Sequence, residues 1–168
     1  KELITSVLWN LSSCEPLKKP IIDDSLTILV THIIIPLSGW KYPLNEPTYN
    51  SSGSLLQSSS GPLEMYWSTV FRNASGVLRN VSSAGEYARK KLRSCEGLID
   101  SLMYLIRAAI SKNDIDNKSV ENCVCILRNL SYRCQEIIDP EYDKQVPHHG
   151  FHSSSSSSRA VALSLIHI

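Results

Sequence analysis

Three asparagines in this chain stand in one five-residue phrase, Leu-x-Asn-φ-Ser, where φ is Leu or Val. The copies are Leu8-Trp9-Asn10-Leu11-Ser12, Leu78-Arg79-Asn80-Val81-Ser82 and Leu127-Arg128-Asn129-Leu130-Ser131. An asparagine side chain carries a donor and an acceptor together. It can therefore bond to the amide and the carbonyl of an extended peptide without reading that peptide's side chains. Cations accompany the asparagines: Arg72, Arg79, Lys118 and Arg128 make the surroundings locally basic, which favours an acidic ligand. The chemistry on offer is recognition of an extended acidic chain.

Signals for catalysis are thin. There is no Gly-rich phosphate loop, no His-Glu zinc motif and no nucleophile elbow. Cys123-Val124-Cys125 lacks a partner pair at zinc-site spacing, and on a helix its two side chains diverge by about 200°, so these read as buried thiols. His148, His149 and His152 lie in a Gly/Ser-rich tail without a scaffold to fix a metal's geometry. The expectation is a protein that is not an enzyme and needs no metal or cofactor.

Each copy of the phrase ends an amphipathic helical stretch. Ile4, Leu8 and Leu11 have helical spacing within residues 2–13; residues 18–35 form a second helical pattern, which Pro36 is expected to stop. The run Ile33-Ile34-Ile35 would also suit a strand, but its flanks are helical. Further helices are expected over 66–83, 84–94, 98–110 and 116–132. Between Pro36 and about Met65 the pattern dissolves into a Pro/Gly/Ser-rich stretch that reads as an insertion. Trp40, at its start, reads as a packing anchor.

Asn80 and Asn129 stand 49 positions apart. Asn10 and Asn80 stand 70 apart, an interval that shrinks to about 40 once the roughly 30-residue insertion is removed. Both approach the roughly 40–47 residues of armadillo or HEAT units. At about 100° per residue, Asn73, Gly76 and Asn80 share a stripe with Arg72 and Arg79 beside it, and Phe71, Ala74, Leu78 and Val81 face away. The same register puts Asn122, Cys125 and Asn129 on a stripe, with Glu121 and Arg128 beside it and Val124, Leu127 and Leu130 opposite. On the first helix the stripe is Leu3, Ser6 and Asn10, and Trp9 takes the place of Arg79 and Arg128. A double-Asn row on neighbouring helices reads as a peptide rail. The alternative is that these asparagines bond to their own neighbours and satisfy helix ends.

The 168 residues carry a formal charge of +1, so no global field recruits nucleic acid or an anionic membrane. Arg89-Lys90-Lys91-Leu92-Arg93 reads first as a solvated face, and only loosely as a nuclear-import signal or nucleic-acid patch. The most apolar stretch, residues 26–35, is about ten residues long where a spanning helix needs about 20, so no membrane insertion is expected. Five cysteines without framework spacing, and no basic-then-apolar leader, point to a reducing, intracellular compartment. The Asn-x-Ser sequons fall largely inside helical patterns and read as unglycosylated. Residues 163–168, Leu-Ser-Leu-Ile-His-Ile, resemble a translated sequencing-library adapter, so part of the tail reads as non-native.

Leu8-Trp9-Asn10-Leu11-Ser12-Ser13, Pro36-Leu37-Ser38-Gly39-Trp40, Leu78-Arg79-Asn80-Val81-Ser82-Ser83 and the run from Ser119 to Tyr132 resemble the delta-catenin and plakophilin family, most closely its delta-catenin branch. The likeness covers roughly residues 1–138. Leu37 and Val77 depart from the family's usual residues, and the Ser-rich insertion has no counterpart in its pattern.

The resemblance implies an all-α armadillo solenoid, right-handed, with a disordered insertion and tail. Residues 1–13 would be the last helix of one repeat, 14–83 a repeat with an inserted loop at about 36–65, 84–135 a further repeat, and 136–168 the tail. It also implies binding to the acidic juxtamembrane segment of cadherin tails at adherens junctions, an influence on Rho-family GTPases, and a cytoplasmic location with the nucleus as a second compartment. The family's cadherin-contacting Trp and Asn fall on Trp9 and Asn10. With the rail, the expected peptide-binding set is Trp9, Asn10, Asn73, Arg79, Asn80, Asn122, Arg128 and Asn129. The competing reading is a nuclear-import-type or general peptide receptor. That reading calls for acidic residues beside the Asn rows, where Arg72, Arg79 and Arg128 stand.

Overall fold

The computed structural model describes residues 1–40 and 68–135. Most of the Ser-rich insertion and all of the tail, with its histidines, lie outside the described residues. Among the described residues all regular structure is helical: α1 (Glu2–Ser12), α2 (Glu15–Leu29), a π-helical turn (Val30–Ile34), α3 (Ile35–Leu37), α4 (Thr69–Ser82), α5 (Glu86–Arg93), α6 (Leu98–Ser111) and α7 (Lys118–Ser131).

Local sequence explains where these helices begin. Ser68 accepts from the Phe71 amide at the head of α4, and Asn117 accepts from the Ser119 amide at the head of α7, each satisfying a donor with no partner inside its helix. Gly97, before α6, has φ 74°, a left-handed conformation that suits a residue without Cβ. At the far end of α7, Arg93 reaches from α5 to donate from Nε and Nη2 to the Leu130 carbonyl, at 2.9 and 2.6 Å, and from Nη2 to the Tyr132 carbonyl. It thereby occupies carbonyls that the helix leaves open.

Both boundaries of the second helical region differ from the sequence reading. The α2 helix starts earlier, at Glu15, because Pro16 suits a first turn whose N–H groups are unpaired in any case. Nor does Pro36 end the helical path, which runs on to Leu37. A proline pushes against the carbonyl four residues back. Here the preceding turn widens, with the Ile35 amide bonded to the Val30 carbonyl, and the chain continues.

The path from Glu15 to Leu37 is 23 residues, long and apolar enough to cross a membrane by length and composition. This corrects the ten-residue estimate of its apolar extent. Its packing is that of an amphipathic core helix: Ile22, Leu26, Leu29, Val30 and Ile34 are buried in the core, whereas Lys19, Asp23, Asp24, Thr27 and Thr31 are exposed.

The core joins those residues to Phe71, Leu78 and Val81 of α4, Leu92 of α5, Leu98, Leu102 and Leu105 of α6, and Cys123, Ile126 and Leu130 of α7. Helices α1, α4 and α7 form a row, α4 packing against both of the others. The outer side of α1 remains uncovered: Leu3, Ile4 and Val7 are exposed. Val124, expected on the inward side of α7, is also exposed, because no described element packs over that flank.

Candidate peptide-binding site

The repeated phrase builds the seams between the helices of this row. Asn73 donates from Nδ2 to Thr5 Oγ1 and to the Glu2 carbonyl, both at 3.4 Å. Seven residues on, Asn80 Nδ2 donates to Ser12 Oγ at 2.9 Å. The next seam repeats the pattern: Asn122 Nδ2 donates to Ser75 Oγ at 3.2 Å and to the Arg72 carbonyl at 3.3 Å, and Asn129 Nδ2 donates to Ser82 Oγ at 2.9 Å. Partners advance together along both helices, so α1, α4 and α7 run parallel.

Every hydroxyl in these seams is used twice. Thr5, Ser12, Ser75 and Ser82 each donate to the carbonyl three residues earlier, at 2.9, 2.7, 3.0 and 2.8 Å, while accepting from the asparagine of the next helix. All four are buried, and such pairing offsets the desolvation of their polar atoms.

This geometry sorts the expected site residues. Asn73 and Asn122 are buried in the seams, where their side-chain amides bond to the neighbouring helix, the arrangement of the alternative in which the asparagines bond to neighbours. Asn80 and Asn129 are half-buried and commit one N–H to a seam. Their side-chain oxygens, Oδ1, accept no hydrogen bond among the described residues, which leaves an acceptor for a peptide N–H. Asn10 is exposed at the same register position of α1.

Trp9 lies across Gly76 of α4. A Cβ at Gly76 would stand 2.4 Å from the ring's Cε2 and 2.6 Å from its Nε1. The glycine is thus a floor for the indole, which stays half-exposed. Arg79, the positional counterpart of Trp9 on α4, crosses to α7, donating from Nη1 to Glu121 Oε1 at 2.8 Å and to Asn122 Oδ1 at 3.2 Å. Arg128, the third counterpart, is exposed, and no carboxylate pairs with it among the described residues.

Lys118 Nζ bonds the other oxygen of Glu121 at 2.8 Å. Lys118 and then Arg79 hold the Glu121 carboxyl below its ordinary value. The Arg89-to-Arg93 run is largely engaged within the fold: Arg93 caps α7, Arg89 lies over the Tyr132 ring, Lys90 pairs with Glu86, and Lys91 stands near the Tyr87 ring. Cys123 is buried, and burial pushes its thiol up; Cys125 is half-buried.

The sequence reading did not single out the seam hydroxyls, Gly76's role as a floor, or Glu121 as a partner of Arg79. A usable signal for the hydroxyls exists in the chain: Thr5 precedes Ser12, and Ser75 precedes Ser82, at the same seven-residue spacing that separates the asparagines.

No family model matches the chain. Among curated proteins it is 53% identical over 133 residues to human "Catenin delta-2", a match covering 79% of this chain and 10% of that protein. The chain belongs to the delta-catenin and plakophilin family of armadillo-repeat proteins. Two other members of the family match at greater length. Mouse "Splicing regulator ARVCF" is 46% identical over 159 residues, 95% of this chain and 15% of that protein. The "Juxtamembrane domain-associated catenin" of Caenorhabditis elegans is 40% identical over 162 residues, 96% of this chain and 11% of that protein. The chain thus spans 10–15% of the length of these relatives. At 95% of the chain, the likeness necessarily runs past residue 138, farther than its motifs alone suggested. Its relatives are non-enzymatic catenins and plakophilins, in agreement with the sequence expectation.

Proposed function

We propose that this chain is a segment of a non-enzymatic armadillo solenoid whose α1–α4–α7 face binds the acidic juxtamembrane segment of cadherin cytoplasmic tails. Repeat boundaries near residues 14 and 84 accord with the seam register, which is the same at both interfaces. The observation that carries the binding proposal is the placement of Trp9, Arg79 and Arg128 at one register position of three parallel helices. That position holds a half-exposed aromatic anchor followed by two cations. Beside them Asn10, Asn80 and Asn129 offer amide groups to a peptide backbone. The nematode relative's name associates that protein with a juxtamembrane domain, which supports the choice of ligand.

In this reading the protein acts in the cytoplasm at adherens junctions, as a scaffold whose partners include cadherin tails and regulators of Rho-family GTPases. Its partner is a protein tail, with neither nucleic acid nor membrane insertion involved. Beside the Asn rows the cations Arg72, Arg79 and Arg128 outnumber the single acid Glu121, which disfavours a receptor for basic import signals.

Titration of the chain with a synthetic cadherin juxtamembrane peptide tests the proposal. Trp9→Ala is expected to weaken binding about tenfold or more, as loss of a buried aromatic anchor does, with a smaller loss for Asn10→Ala. Unchanged affinity in both variants would refute it.

A further inference from the structure

Glu121 interrupts an otherwise cationic row. By the register of the seams it occupies on α7 the position that Arg72 holds on α4, seven residues before Arg128 on the same helix. Each of its carboxylate oxygens takes one cation, Oε1 from Arg79 and Oε2 from Lys118, both at 2.8 Å. These are the contacts that a carboxylate of an incoming acidic peptide would make.

We propose that Glu121 is an internal competitor, holding Arg79 and Lys118 in the free protein and leaving them when an acidic ligand arrives. The inference rests on the acidic-peptide reading above and specifies how that face is regulated. Two further features of the geometry support it. First, the Arg79–Glu121 pair is solvent-accessible, with 35% and 49% of the side chains exposed, so water and salt already weaken it and exchange for another carboxylate is facile. Second, Arg79 Nη1 also bonds to Asn122 Oδ1, and Asn122 is itself anchored in the seam. The guanidinium therefore stays aimed when Glu121 departs, while the Glu121 side chain can swing into solvent. A preorganised cation with a displaceable lid lowers affinity for weakly acidic chains and favours ligands that present several carboxylates together.

The test compares wild type with Glu121→Gln by calorimetric titration against the acidic juxtamembrane peptide and against the same peptide with every Asp and Glu changed to Asn and Gln. Glu121→Gln is expected to bind the acidic peptide about two- to fivefold tighter, the range corresponding to an exposed ion pair, and to leave binding of the neutral peptide unchanged. In an Arg79→Gln background the gain should shrink. An unfolding midpoint for Glu121→Gln lowered by no more than the loss of exposed ion pairs accounts for, with unchanged circular dichroism, places the effect at the binding face. Unchanged or weaker binding by Glu121→Gln, in a protein whose affinity still depends on Trp9, overturns the competitor role alone. Absence of any preference for the acidic over the neutral peptide in wild type overturns the underlying function instead.

Discussion

Replacing Gly76 with alanine sets two measurable effects against each other. In an exposed helix the change stabilises by about 1 kcal/mol, because alanine loses less backbone freedom on folding. Here the added Cβ would stand 2.4, 2.6 and 2.7 Å from three atoms of the Trp9 ring system. Carbon atoms in contact settle at about 3.5–4.0 Å, so the indole must retreat by about 1 Å or more. All three atoms belong to a rigid bicycle, and Trp9 is carried on a helix whose seam bonds to α4 resist the shift. Overpacking of this kind destabilises by about 1–3 kcal/mol, which exceeds the propensity gain and leaves a net loss of about 1 kcal/mol. Urea unfolding followed by circular dichroism measures it. In a Trp9→Ala background the obstruction is gone, and Gly76→Ala is expected to reverse sign and stabilise by about 1 kcal/mol, a coupling of about 2 kcal/mol between the two sites. If Gly76→Ala stabilises wild type as much as it stabilises Trp9→Ala, the reasoning fails.

Loss of a seam amide should depend on burial. Asn122→Ala removes the amide bonds to Ser75 Oγ and the Arg72 carbonyl and one bond of Arg79, and is expected to destabilise by about 2–3 kcal/mol, against about 0.5–1.5 kcal/mol for the half-buried Asn80→Ala; equal losses in urea unfolding would contradict this. Arg93→Lys is expected to uncap α7 almost as fully as Arg93→Ala, because a single ammonium cannot reproduce the fork on the Leu130 and Tyr132 carbonyls. Amide hydrogen exchange in the last turn of α7 reads this directly, and full protection in the lysine variant would refute it. Glu121 is expected to titrate below 4.5 in a carboxyl-resolved NMR experiment, with Lys118→Ala raising it more than Arg79→Gln does. A depressed carboxyl contributes stability above its unfolded value and loses it as pH falls through the folded value, so this contribution starts to decline only below the ordinary glutamate range and is gone below the folded value; a Glu121 value at or above that of an unperturbed glutamate would show that the two cations do not hold it.

Much of the architecture was legible along the chain. The spacing of Leu78 and Val81, or of Ile126 and Leu130, is enough to define a helix and its buried side, because a single helix repeats every 3.6 residues whatever surrounds it. The phrase around Asn10, Asn80 and Asn129 likewise marked equivalent positions and, through its likeness to known catenins, the family. Pro36 was legible as a perturbation but not as the π turn that absorbs it, since that outcome depends on how far neighbouring turns can widen.

What each asparagine does was decided only in three dimensions. Helical register puts Asn73 and Asn80 on one stripe, yet burial separates them. Asn73 lies deep between α1 and α4, where an unpaired amide would be unfavourable, and it finds Thr5 sixty-eight positions away. Asn80 lies nearer the rim and keeps its side-chain oxygen open. The same holds for charge: Arg79 reads as a free cation beside an Asn row until packing brings Glu121 against it from α7. Periodicity within one helix is a local property and is written in the sequence. Which neighbour stands opposite a given side chain is a property of the seam, and it exists only once the helices have packed.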